Sequence, residues 1–267
     1  MASVQEYRTD RVSNLLHDSD PAPVAVYNAS GTSPYVLTCE HAGRLVPRKL
    51  GNLGIDDRHW ERHIAWDIGA ERVARMLAEH LDAPVIVQRY SRLVVDCNRP
   101  LYSEEAIPEV SDGTEIPANL GISDEDKGER IKDIHEPYHD ALATLLDDRS
   151  QANVETALVA VHSFTPSLEA KPGPRPWDLG ILHNRHDHLS RHVHDVLETE
   201  ANHLEFTFNE PYRVNDHEDY TIPVHGEKRG IPHTLLEIRN DHISEESGQR
   251  EWAELLNRVF KAIVLRL

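Results

Sequence analysis

Residues 157–166 read Ala157-Leu158-Val159-Ala160-Val161-His162-Ser163-Phe164-Thr165-Pro166. Five apolar residues in a row, without polar alternation and closed by a turn signal, describe a short strand buried on both faces. A sheet can bury both faces of a strand only if helices cover both sides. Other segments repeat the pattern. Val24 to Tyr27, Tyr35 to Cys39, Val85 to Val87, Arg92 to Asp96, Trp177 to Leu182 and Thr234 to Ile238 all read as strands.

Helical spacing alternates with these runs. A helix is expected from Asp67 to Leu81, with Val73, Met76, Leu77, His80 and Leu81 on one face. A long helix carries Ile131, Ile134, Tyr138, Ala141, Leu142 and Leu145 on its inner stripe. Leu189 to Glu200 is a further helix, and the last one buries Trp252, Leu255, Leu256, Val259 and Ile263. Residues 101–124 read as a long excursion, and residues 1–20 as a loosely attached arm or short helix. The alternation defines an α/β sheet covered on both faces. With no repeat and no boundary visible, one catalytic domain over 1–267 is expected.

Composition narrows the function. The 267 residues include 28 Lys and Arg against 46 Asp and Glu, a formal charge of −18. Such a surface argues against nucleic acid and anionic lipid as partners, though not against one small anion in a local pocket. No apolar run approaches the roughly 20 residues that span a bilayer. Without an apolar leader, a cytoplasmic location is expected. Two cysteines, Cys39 and Cys97, beside 18 histidines direct any metal search to His, Asp and Glu.

Ligand sites in open α/β sheets form at the carboxyl ends of strands. Four expected strands end in chemistry: Glu40-His41, Asp96-Cys97-Asn98-Arg99, His162-Ser163, and Glu237-Ile238-Arg239. Singly, each has a plain structural explanation, such as a bonded histidine or a surface ion pair worth about 0–1 kcal/mol. Together at one edge they describe a site. Two histidines and a carboxylate make a three-ligand zinc site with a position left open. A separate glutamate can shuttle a proton. Arginine beside asparagine can grip a carboxylate. The sum suits hydrolysis of an amide in an N-acyl amino acid.

The third ligand is open between Asp67, which also suits a helix cap, and Glu40, which strand alternation turns to the opposite face. His225, beside Gly226 ahead of the last strand, is a candidate transition-state donor. His59 and His63, four apart, lack the glutamate of the metalloprotease helix and read as structural or solvated. Cys39 or Cys97 as nucleophile is a weaker alternative, since apolar strands bury and silence thiols. Neither a nucleophile elbow nor a phosphate loop is present.

These motifs resemble one family. Cys39-Glu40-His41-Ala42-Gly43 with Val46-Pro47, Tyr90 to Pro100, His162 to Pro166, Arg175 to Gly180, Asn209-Glu210-Pro211-Tyr212 and Glu237 to Asp241 are together similar to N-formylglutamate amidohydrolases, over about residues 35–242. That family looks related to zinc carboxypeptidases. The resemblance implies a three-layer α/β/α fold with a mixed, mostly parallel sheet. It also implies one zinc ion on His41, His162 and Asp67 and catalytic Glu237. Asn98-Arg99 would bind the substrate carboxylate, with Arg92, Arg175 and Arg239 as further candidates. Arg44 departs from the peptidase pattern, which has a glutamate ligand three residues after the first histidine. The expected activity is hydrolysis of N-formyl or other N-acyl amino acids. A non-catalytic metal or ligand binder on the same fold and a small zinc peptidase are the alternatives.

Overall fold

In the computed structural model, which describes residues 4–8 and 13–264, the chain is built on one eight-stranded sheet. Ten strands occur in chain order: β1 (Val4–Tyr7), β2 (Val24–Tyr27), β3 (Tyr35–Cys39), β4 (Val85–Gln88), β5 (Val110–Ser111), β6 (Thr114–Glu115), β7 (Ala157–Phe164), β8 (Leu179–Leu182), β9 (Phe206–Phe208) and β10 (His233–Arg239). β5 and β6 form a separate small hairpin; the others follow the order β1-β2-β4-β3-β7-β10-β8-β9. The central block β4-β3-β7-β10 is parallel. β2 and β8 run antiparallel to it at either side. The sheet is mixed and mostly parallel, as expected.

Helices α1 (Ala70–Leu81), α2 (Asp124–Arg130), α3 (Glu136–Gln151), α4 (His188–Glu200) and α5 (Glu246–Val264) cover it. β7 is buried along its whole length, and strand alternation sends its residues to two cores. Val159 and Val161 pack with Leu77 of α1, Val193 of α4 and Leu256 of α5. Leu158 and Ala160 face the other way, toward Tyr138, Leu142 and Leu146 of α3. Three layers result because each face of the sheet carries apolar surface that only a helix can cover.

The structure departs from the sequence reading in four places. Arg92 to Asp96 is not a strand but a buried turn. Leu93, Val94 and Val95 are fully buried, yet side chains rather than a neighbouring strand take the Leu93 and Val94 carbonyls, and the Val94 N–H closes the turn onto the Ser91 carbonyl. Asn119 donates to the Leu93 carbonyl at 2.9 Å, and Arg130 to that of Val94 at 3.0 Å. The long helix is interrupted by a π-helical turn, Ile131–His135. Helix α1 starts at Ala70, not at Asp67. Its N-cap is Gly69 at φ 80°, where a Cβ would stand 2.1 Å from the Ile243 carbonyl oxygen. Asp67 is therefore no helix cap.

In the stretch read as an arm or short helix, Val4–Tyr7 instead pairs antiparallel with β2, and Leu15 and Leu16 are buried. Residues 1–3 and 9–12 of that stretch lie outside the described residues. Among the described residues, no helix is long and apolar enough to cross a membrane.

Candidate metal centre and active-site cavity

The parallel block delivers its polar residues to one edge. His162 lies near the end of β7, and the register sets Glu237 of β10 beside it. His41 follows β3 by two residues, and Asp67 sits in the turn ahead of α1. Gly180 of β8, opposite Glu237 in the register, leaves room for the backbone of Glu210. A Cβ there would come within 2.0 Å of the Glu210 carbonyl oxygen.

His41 Nδ1, His162 Nδ1 and Asp67 Oδ2 converge. The two nitrogens are 3.1 Å apart, and the carboxylate oxygen is 2.8 Å from His162 and 3.3 Å from His41. The far side of each ring is committed to a carboxylate: His41 Nε2 to Asp96 Oδ1 at 2.8 Å, His162 Nε2 to Glu40 Oε2 at 2.7 Å. A carboxylate accepts, so it draws the ring proton to Nε2 and leaves Nδ1 as a lone pair. Three acceptors then face one another in a buried site. Only a positive charge, proton or cation, reconciles them.

Their spacing fits a metal ion. Donors held tetrahedrally at about 2.0–2.1 Å from zinc stand about 3.3 Å apart, close to the observed triangle. His41, Asp67 and His162 are also the group among the described residues whose ligand atoms lie near enough together to hold an ion.

Electrostatics agree. Burial opposes charge on His162, but Asp67 and Glu40 outweigh it and hold its pKa well above the ordinary value. Burial likewise works against Asp67, yet the two imidazoles keep it well below the usual carboxylate range. Glu40 is brought to about 2 against its burial, chiefly by its bond to His162. Glu237 goes the other way. Burial, helped by the charge of Asp67, lifts it to about 7. The same cleft thus holds charged carboxylates and one carboxyl poised to exchange a proton near neutrality.

His41, Asp67, Arg92, Asn98, Arg99, His162 and Glu237 all line one cavity. Arg92, read as a further candidate substrate contact, faces the centre's carboxylates within the cavity. It bonds Asp96 Oδ2 at 2.7 Å and lies 3.6 Å from Asp67 Oδ1. Asn98 is engaged as well, accepting from the backbone of Thr221 at 3.0 Å and donating to Asp219 at 3.2 Å. Arg99 bonds Glu105 at 3.1 Å and the Glu218 carbonyl at 2.6 Å.

Arg175, Arg239 and His225 are not among the cavity's lining residues. Arg239 is taken up by Asp178, Asp241 and the Pro176 carbonyl, and Arg175 lies over Phe164 and Tyr212. His225 sits against His139 in a separate buried cluster. Glu40, the alternative ligand, serves His162 from behind and accepts from Tyr138 at 3.0 Å. Both cysteines are buried, and burial pushes both thiols well up, which removes them as nucleophiles.

Sequence reasoning missed His63, Tyr212 and Asp219 as lining residues and Asp96 as the partner of His41. His63 belongs to the pair read as structural or solvated and Tyr212 to a quoted motif, while Asp96 left a local signal: a carboxylate closing an apolar run is expected to be buried and paired.

The fold and the buried His-Asp-His group define an α/β protein with a candidate metal centre. The chain belongs to the N-formylglutamate amidohydrolase family, whose model matches residues 33–244. It is 32% identical to gene product Atu2144 from Agrobacterium tumefaciens, over 95% of this chain and 99% of that one, with a TM-score of 0.90. An N-formylglutamate amidohydrolase from Ralstonia eutropha JMP134 shares the fold at 17% identity and a TM-score of 0.63, covering 92% of this chain and 99% of that one. No curated protein matches the chain.

Proposed function

We propose that the chain is a zinc-dependent amidohydrolase that cleaves N-formyl or other N-acyl amino acids, with N-formylglutamate the first substrate to test. The observation that carries the reading is the convergence of three buried acceptors, His41 Nδ1, His162 Nδ1 and Asp67 Oδ2, in the cavity that also holds Glu237. One zinc ion on these residues would supply a Lewis acid that brings the pKa of water near ~7 and polarises an amide carbonyl.

The protein's own groups do the rest. Glu237, lifted to about 7 by burial, takes a proton from the attacking water and passes it to the departing nitrogen. The acyl carbon gains the water oxygen, the C–N bond breaks, and a carboxylic acid and a free amino acid leave. Arg99 exchanges its contact with the exposed Glu105 for the substrate carboxylate. Asn98 shapes the wall beside it. The reading takes residues 1–267 as one catalytic domain in the cytoplasm.

The test is a panel of N-formyl, N-acetyl and N-succinyl amino acids and short peptides, assayed with and without chelator. Turnover of an N-acyl amino acid that chelator abolishes and zinc restores supports the reading. Zinc uptake without hydrolysis would make the chain a metal-binding protein, and cleavage of peptides alone would make it a peptidase. Either result overturns the proposal.

A further inference from the structure

The Arg99 side chain is steadied chiefly by the Glu218 carbonyl at 2.6 Å, because Glu105 is 69% exposed and exposed pairs position little. The backbone around it is held from both sides. Two π-helical turns, Ile131–His135 and Ile222–Glu227, flank the Cys97–Arg99 segment. Such turns are rare and recur at functional sites. From the first side, His139 Nε2 meets the Cys97 carbonyl at 2.8 Å, and the ring of His135 reaches the backbone of Arg99. From the second, the backbone of Thr221 donates to Asn98 Oδ1 at 3.0 Å.

The proton positions follow from these partners. A carbonyl only accepts, so His139 carries its proton on Nε2. Its Nδ1 is then an acceptor and faces His225 Nε2 at 3.0 Å, which must donate. His225 Nδ1 is left without a proton, and it is buried with no partner among the described residues. The two rings lie within 9° of parallel. Burial favours the neutral forms this chain requires, holding His225 at about 4 and His139 well below its ordinary value.

We propose that His139, with its tautomer set by His225, is a positioning residue that holds the Cys97–Arg99 backbone so that Arg99 presents its guanidinium to the substrate carboxylate. The inference rests on the reading of Arg99 as the carboxylate contact. His225 thereby acts two bonds removed from the cavity and is not a donor to the reacting atoms. Asp96 Oδ1 also accepts from the Asn98 N–H at 2.8 Å, but Arg92 and His41 hold the same carboxylate from the other side, so the zinc ligands move little.

The test uses the zinc-loaded full chain with His139→Leu, His139→Gln and His225→Phe, and a readout of ring tautomers by nitrogen-15 NMR. Loss of the bond raises KM for an N-acyl amino acid about ten-fold. Turnover number and zinc affinity stay within about three-fold. Glutamine, which can donate an N–H to the Cys97 carbonyl, recovers most of the loss. His225→Phe gives a smaller rise in KM and carries the test if the leucine variant does not fold. The spectra show His139 and His225 as Nε2–H tautomers. An unchanged KM, a fall confined to turnover number, or a His139 proton on Nδ1 overturns the proposal. If the wild-type chain hydrolyses nothing on the panel, the proposed function has failed, and the tautomers still decide the relay.

Discussion

Glu237 Oε2 is buried and has no partner among the described residues, in a site where the carboxylates of Glu40, Asp67 and Asp96 are all bonded. Leaving such an atom unpaired costs about 1–3 kcal/mol, a cost that makes sense if the atom awaits a proton in the reaction. Glu237→Gln is expected to lower turnover about 10²–10⁴-fold while zinc uptake and the unfolding midpoint stay level; near-normal turnover in zinc-loaded protein would remove Glu237 from the mechanism. Asp96 acts one bond further out. Asp96→Asn frees the His41 ring to rotate and is expected to weaken zinc binding about 10–100-fold, read by competition with a chromophoric chelator. His41 and His162 could be found in the sequence because each closes a strand-like run, a local property. Asp96 and Glu40 could not be assigned to them, since those contacts span 55 and 122 residues. Arg239 looked like a site residue for the same local reason as Glu237, but Asp178 and Asp241 claim it.

At the level of elements, β7, β3 and β10 were legible because strands buried on both faces advertise themselves as unbroken apolar runs. Leu93-Val94-Val95 carries the same composition and is no strand, because Asn119 and Arg130 take the hydrogen bonds a neighbour would have made. Hydrophobicity reports burial and not backbone pairing, so the two cases look alike in sequence. Asn119 also donates to Pro108 at 2.7 Å and accepts from Arg130 at 2.7 Å, so it ties three segments behind the cavity. Asn119→Leu is expected to lower the unfolding free energy by about 1–3 kcal/mol in urea titrations; a change within experimental scatter would mean that the turn holds itself. Asp67 was ambiguous for a similar reason. A carboxylate ahead of a helical pattern suits a cap, and only the start of α1 at Ala70, behind Gly69, frees it to face the histidines.

Across the whole molecule, the charge of −18 coexists with buried neutral histidines. Burial holds His135 and His225 at about 4 and His139 well below its ordinary value. Their folded pKa values lie below the unfolded value of about 6.5, so the unfolded chain binds more protons under mild acid. Stability is then full above about pH 6.5 and falls as the pH drops toward 4, by a few kcal/mol (order of magnitude) for the cluster. Glu237, lifted to about 7, gains its proton over the same range and opposes this fall, so the test is a difference. From pH 7 to 4.5 the urea midpoint of metal-free His225→Phe is expected to lose less, or gain more, than that of the wild type, and equal slopes would contradict it. The metal centre remains the claim on which the account turns. Anomalous diffraction at the zinc edge from zinc-loaded crystals tests it directly. One peak per chain is expected, bonded to His41 Nδ1, His162 Nδ1 and Asp67 Oδ2. An empty triangle, or zinc bonded through Nε2 or Glu40, would contradict it.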